Sequence, residues 1–359
     1  MLVTIFQYFF FPSREKKRGF FHDVEQSQHC RYRQCFGIIP QHGFQGPERQ
    51  RRNHQCLSGT ANTQGTELCA VVELMYTCEW LYAVTGDPVW AERLEKLAFN
   101  AMPATFTDDM RGHQYDQMVN QMACIEFPGR SLFRTNSSES HLFGLEPNYG
   151  CCTANMHQGW PKLALHALQR TEKGIAIAQL LPVSVQTCIK GKPVFIRVEG
   201  DYPFRMAANI TAEAPEAVQF EMKLRIPARA KHVCLNGKPI RVQKGHAFIN
   251  RTWQGVETLH LSFQAEPLFV SRPTGLKTVE YGPLVFALPI ETEYKMREYT
   301  RNNVERRFPY CDYELIPKSA WSYGFAGQML TVQERPVDAA PFSSVNPPLV
   351  VKAGLAPVK

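Results

Sequence analysis

The sequence predicts an α+β chain with segregated halves, an α-helical part followed by a β-sandwich region. Two observations carry this expectation. Between Thr66 and Ala101 apolar residues recur at helical spacing, and beyond Gly174 the apolar period falls to two. The dipeptide Asn236-Gly237, set between two apolar runs, adds a two-residue hairpin signal.

In chain order, residues 1–58 form an irregular basic segment without sustained periodicity. Nine Lys and Arg, from Arg14 to Arg52, stand there against four acids, so this segment supplies +5 of the net +7. Its apolar start, Met1 to Phe11, has no cationic residue before it and no clear small-residue cleavage site, the reverse of a signal peptide's order. Secretion is left undecided on this ground, with the cytoplasm slightly favoured. The segment reads as non-native to the rest of the chain.

Residues 59–174 read as helical. Leu68, Val71, Val72, Met75, Leu81 and Tyr82 run up to Gly86, which suits a C-terminal cap. Asp87-Pro88 suits a fresh N-cap and first turn, and Leu94, Leu97, Ala98 and Ala101 continue a second amphipathic helix. A third helix is expected from Thr153 to Gln169, bent near Gly159 to Pro161. In residues 175–291, Phe220, Met222, Leu224 and Ile226 alternate with charged or polar residues, as do Leu259, Leu261 and Phe263. These are half-buried antiparallel strands. Residues 292–359 are aromatic and proline-rich, and only short strands are expected there.

The composition excludes several classes. With 44% apolar residues in 359, the chain is neither disordered nor a coiled coil, and no run of 18 apolar residues predicts a membrane span. The basic residues of the first segment lack helical or strand period, so no nucleic-acid or membrane partner is expected. Eleven cysteines, two of them adjacent, make a poor disulfide framework. Cys78, Cys188 and Cys234 read as core residues, and His157 and His166, nine apart, as satisfied or solvated side chains rather than a ligand pair.

The residues with chemical potential are Glu67, Cys69, Cys151 and Cys152. Three thiolates and a carboxylate would fill the four tetrahedral positions of Zn²⁺. On a regular helix Glu67 and Cys69 would diverge by about 200°. They converge on one ion only if they lie at the extended entry to that helix, which Gly65-Thr66 makes reasonable. Cys151 and Cys152 are expected to precede a helix start, where unpaired amides favour a thiolate. From spacing alone, four unrelated side chains remain the competing reading.

These residues lie in longer motifs. Gly65-Thr66-Glu67-Leu68-Cys69-Ala70-Val71-Val72-Glu73, Thr85-Gly86-Asp87-Pro88 and Leu145-Glu146-Pro147-Asn148-Tyr149-Gly150-Cys151-Cys152-Thr153-Ala154-Asn155 resemble glycoside hydrolase family 127, the β-L-arabinofuranosidase family. Leu224-Arg225-Ile226-Pro227 and Glu280-Tyr281-Gly282-Pro283 are similar to its β-rich half. The resemblance implies a retaining exo-hydrolase of arabinose-containing glycans whose zinc-bound thiolate attacks the anomeric carbon while a glutamate serves as acid, then base. It puts the metal on Glu67, Cys69, Cys151 and Cys152 and the nucleophile on Cys151.

Two departures from the family pattern bear on activity. Where the family has an Asp-Glu pair before a Leu-Ser-Gly turn, this chain reads His54-Gln55-Cys56-Leu57-Ser58-Gly59, and Gln55 cannot act as an acid. The family's catalytic domain is an (α/α)₆ toroid, most of which would precede Glu67. The resemblance thus implies the last few toroid helices plus β domains, an N-terminally truncated and inactive form, and self-association through the faces left open. The alternative is a non-catalytic carbohydrate-binding or interaction module with a structural zinc site, its contacts made by aromatics such as Trp253, Trp321 and Tyr323.

Overall fold

The computed structural model describes residues 65–126, 137–145, 149–272 and 275–358. The basic segment 1–58, with Gln55 and Glu48, lies outside them. The architecture is α+β: a small helical part packs on a β assembly that makes up the rest of the chain.

A two-residue strand β1 (Thr66–Glu67) leads into helix α1 (Leu68–Thr85). Leu68, Val71, Val72, Met75, Cys78, Glu79 and Tyr82 form its buried face, at spacings of three and four. Among the described residues it is the one helix long and apolar enough to cross a membrane, and its inner face packs in the main core. Gly86 ends it with φ of 66°, a left-handed cap in which its amide bonds Tyr82 O. Asp87 then caps α2 (Pro88–Lys96) by accepting from Val89 N. A wider turn, Leu97–Ala101, prolongs α2.

The expected third helix is divided. α3 spans Gly150–Asn155, one tight turn follows at Met156–Gln158, and α4 spans Gly159–His166. The bend near Gly159 is therefore present, but the helix begins three residues earlier than expected and stops sooner. Leu168–Arg170 leaves it to form strand β3, pairing antiparallel with β4 (Gly174–Ile177). Sheet hydrogen bonds outweigh the weak helical signal of that short stretch.

The largest sheet has eight strands. β5 (Val183–Ile189) pairs β6 (Lys192–Glu199), which pairs β7 (Ala207–Arg225). β7 runs beside β10 (His246–Gln264) for almost its whole length. β8 (Lys231–Leu235) and β9 (Lys238–Pro239) finish the edge through the predicted hairpin, where Asn236 and Gly237 take φ of 52° and 73°. The run Ile240 to Val242 was expected to continue that hairpin, but the strand ends at Pro239, which has no N–H to donate. A register shift between Trp253 and Gly255, with Gly255 at φ of 73°, bends β10. β7 and β10 thereby serve two half-sheets, one with β6 and one with β4.

The alternation read from sequence holds: Phe220, Met222, Leu224, Leu259, Leu261 and Phe263 are all buried. Two residues depart from it. Cys188 was expected in the core but is exposed, because β5 alternates and turns that position outward. Arg225, on the nominally polar side, is fully buried because α2 covers it. Its Nη1 and Nη2 lie 2.7 and 2.9 Å from the Glu95 carboxylate, and Nη2 lies 2.6 Å from Glu92.

Beyond β11 (Leu268–Ser271), β12 (Lys277–Tyr281) and β13 (Leu284–Phe286), the C-terminal zone holds four further paired strands and a hairpin. β14 (Thr292–Arg297) pairs β17 (Asp312–Pro317), and β15 (Tyr299–Arg301) with β16 (Val304–Arg306) forms the hairpin between them. The pair β18 (Tyr323–Glu334) and β19 (Leu349–Pro357) is longer than the short strands expected. Among the described residues all cysteines are free thiols.

Candidate metal and catalytic site

Glu67 sits at the N-cap of α1 with extended backbone, φ of −68° and ψ of 133°. That conformation is imposed from outside the helix. β1 pairs antiparallel with β2 (Asp116–Gln117), matching Glu67 to Asp116, and Leu68 N donates to Tyr115 O at 2.9 Å. The extended step turns the Glu67 side chain to the same side as Cys69, which already lies in the first turn of α1.

The other two thiols enter from α3. Helix α3 begins at Gly150, so Cys151 and Cys152 lie within its first turn rather than before it. Their amides are still among the four a helix start leaves unpaired. Cys152 is fully buried, Cys69 and Glu67 are half-buried, and Cys151 is the exposed member.

The side chains meet. Cys69 Sγ lies 3.2 Å from Cys152 Sγ, and Cys151 Sγ lies 3.9 Å from Glu67 Oε1. One ligand atom from each of the four falls within 4.8 Å of the others. Zinc–sulfur bonds of about 2.3 Å in a tetrahedron put neighbouring ligand atoms about 3.7 Å apart, so the observed spacings bracket what such an ion needs. The donor set, soft thiols with one carboxylate, suits the same metal.

The protonation pattern agrees with a cluster short of positive charge. Cys69 is lowered below the usual thiol value, chiefly by its hydrogen bond with Cys152. Cys152 is raised in exchange by that bond and by burial, and burial with its neighbour Cys69 pushes Cys151 up to about 11. The leading influences come from the thiols themselves, from Glu67 and from burial. A bound dication would reverse that balance and hold the sulfurs ionised.

Several supporting residues were not singled out from sequence. Asn155 Nδ2 donates to Cys69 Sγ at 3.3 Å; it stands four residues after Cys151, on the same helical face, and that spacing was the available signal. Thr153 donates to Leu145 O at 2.7 Å, so His113 Nε2, 3.0 Å from the same hydroxyl, is the donor to it. Tyr115 and Tyr149 stack with ring centres 4.1 Å apart, tying the strand that fixes Glu67 to the residue before α3. Nothing local in the sequence marks the Tyr115 and His113 contacts. His166, as expected, is no metal ligand: it pairs with buried Glu79 at 2.7 Å, and His157 is exposed.

Comparison with known proteins bears on the β part first. Residues 174–265 match the family model described as the GH127 β-L-arabinofuranosidase middle domain. This stretch is a GH127 middle domain. Among solved structures, a GH127 β-L-arabinofuranosidase from Geobacillus stearothermophilus T6 superposes with a TM-score of 0.52 at 19% identity, covering 71% of this chain and 48% of that one. A structure described as a glycoside hydrolase gives 0.53 at 18% identity, covering 71% and 50%. One described as a GH127 β-arabinofuranosidase gives 0.51 at 17%, covering 71% and 47%. The chain thus shares the GH127 fold and spans about half the length of these structures. No curated protein matches it.

Proposed function

We propose that this chain carries the site of a retaining glycoside hydrolase of the GH127 type, acting on arabinose-containing glycans with Cys151 as nucleophile. The observation that carries the reading is the convergence of Glu67, Cys69, Cys151 and Cys152 in a fold shared with GH127 enzymes, with Cys151 alone among the three thiols open to solvent. Glu67, Cys69, Cys151 and Cys152 would hold a zinc ion, which when bound keeps the thiols ionised at neutral pH.

In this mechanism Cys151 Sγ forms a bond to the anomeric carbon as the glycosidic C–O bond breaks, and the leaving oxygen takes a proton from a general acid. Water then attacks the same carbon, the C–S bond breaks and the configuration is retained. Glu67, 3.9 Å from Cys151 Sγ, orients the nucleophile, and Asn155 holds Cys69 in place behind it. Cys152, fully buried, anchors the cluster and cannot reach a substrate.

The test pairs elemental analysis with hydrolysis of p-nitrophenyl β-L-arabinofuranoside. About one zinc per chain, with sugar release abolished by Cys151→Ser, is the expected result. Zinc without release supports the second reading, a carbohydrate-binding module with a structural ion. That reading is favoured by a donor set already complete for four-coordination and by Gln55 at the position where the family's acid is expected. Absence of zinc would overturn both.

A further inference from the structure

Away from the cysteines, the turn Ser138–His141 faces β15 and the adjoining ends of β14 and β17 across a cavity of about 290 Å³. Three carboxylates line it, Glu139, Glu298 and Asp312, together with the guanidinium groups of Arg297 and Arg301. Asp312 is 5% exposed and hydrogen-bonds Tyr299, and its Oδ1 lies where a Cβ on Gly144 would be, at 2.3 Å. Arg301 gives Nη2 to Glu139 at 2.7 Å, while its Nη1 is shielded from solvent and has no hydrogen-bond partner.

This lining selects a ligand class. An anion meets three carboxylates, and a metal ion meets two guanidinium groups that are ionised at any working pH. A neutral polyhydroxylated ligand suits both. Its hydroxyls donate to the carboxylates, which are acceptors only, and accept from the vacant Arg301 N–H. The volume sits at the lower end for small-molecule sites, the size of one or two sugar rings.

The cavity is also joined to the cysteine site through the backbone. Ser137, which opens the turn, bonds the Tyr149 hydroxyl through its amide and its own hydroxyl, each at 3.0 Å. Tyr149 stacks on Tyr115 and directly precedes α3. We propose that this cavity is a second carbohydrate subsite that holds a neutral glycosyl residue of the glycan. The choice of an arabinose-containing ligand rests on the proposed function; the polarity argument does not.

The test is calorimetric titration of arabinotriose into the full chain bearing Cys151→Ser, so that turnover plays no part, and into the same chain with Thr300→Trp added. Thr300 is an exposed lining residue, and the indole fills the space without touching the cysteine cluster. Saturable binding weakened at least tenfold by Thr300→Trp, with melting temperature and zinc content unchanged, is expected. Glu298→Lys, also exposed, should weaken it similarly and guards against a folding defect in the first variant. Absence of saturable binding into the tens of millimolar, equal binding in both variants, or preference for galacturonate or Ca²⁺ over the neutral sugar would overturn the proposal. Should the hydrolase reading fail, with neither zinc nor sugar release, binding in this cavity and its loss on Thr300→Trp are still expected.

Discussion

Replacing Arg225 by Met tests how the helical part is fastened to the sheet. In the native chain Arg225 stays charged because Glu95 and Glu92 outweigh the cost of its burial. Its loss removes three charge-assisted contacts of 2.6 to 2.9 Å and leaves the Glu95 carboxylate, 1% exposed, facing an apolar side chain. At pH 7 that carboxylate escapes by taking up a proton. Moving its pKa from about 4.3 to 7 costs roughly 3.7 kcal/mol at 1.36 kcal/mol per unit, inside the range of about 3–5 kcal/mol for breaking a buried pair. Glu92, whose side chain is 30% exposed, is rescued by water and adds little. The orphaned Glu95 has a folded pKa raised above its unfolded value, so its protonated form becomes cheaper as pH falls. The deficit of Arg225→Met measured by urea unfolding should therefore shrink by about 2.7 kcal/mol between pH 7 and pH 5. The double variant Arg225→Met with Glu95→Leu should recover most of the loss. A deficit below about 1 kcal/mol, or one of the same size at both pH values, would refute the reasoning.

Three further outcomes are expected. His246 is held neutral, its pKa lowered to about 4 by burial and by Lys223, with Nε2 accepting from the Tyr82 hydroxyl at 3.1 Å and Nδ1 donating to Lys244 O at 2.9 Å. The unfolded chain binds this proton more readily, so stability should be full above about pH 6.5 and fall as pH drops toward 4, and His246→Gln should flatten that slope in melts across the same range. Asn155→Ala removes the donor behind Cys69 and should weaken zinc binding by about tenfold or more in competition with a chromogenic chelator. Gly144→Ala would place a Cβ 2.3 Å from Asp312 Oδ1 and 3.3 Å from its Cα, costing about 1–3 kcal/mol as a lowered midpoint in thermal unfolding.

What could be read from sequence was what local chemistry decides. Gly86, Asp87 and Pro88 announce a helix end and a helix start because each satisfies or forgoes backbone groups on its own. Phe220 to Ile226 and Leu259 to Phe263 announce strands because one face of the sheet is dry. The pair β18 and β19 gave no such signal, since most of β18 is exposed on both faces and its alternation is lost. Arg225 misled for the opposite reason. Its position in the period is that of a solvated face, and only the arrival of α2 with Glu92 and Glu95 turns that face into an interior.

The cysteine site falls between these cases. The donor types were legible, because three thiols and a carboxylate suit one kind of ion, but their meeting was not. Glu67 and Cys69 share a side only because Asp116 and Tyr115, some fifty residues on, hold the entry to α1 extended. Cys151 and Cys152 reach them only because α3 packs on α1, with the Tyr115–Tyr149 stack as a second tie. Two segments 83 residues apart are thus drawn together by contacts that are mostly neither metal ligands nor nucleophiles. An ion bound across them would stabilise that arrangement in proportion to its affinity. Replacing Tyr115 by Leu should therefore lower zinc affinity with all four donors intact, and an unchanged affinity would mean that the donors alone hold the site together.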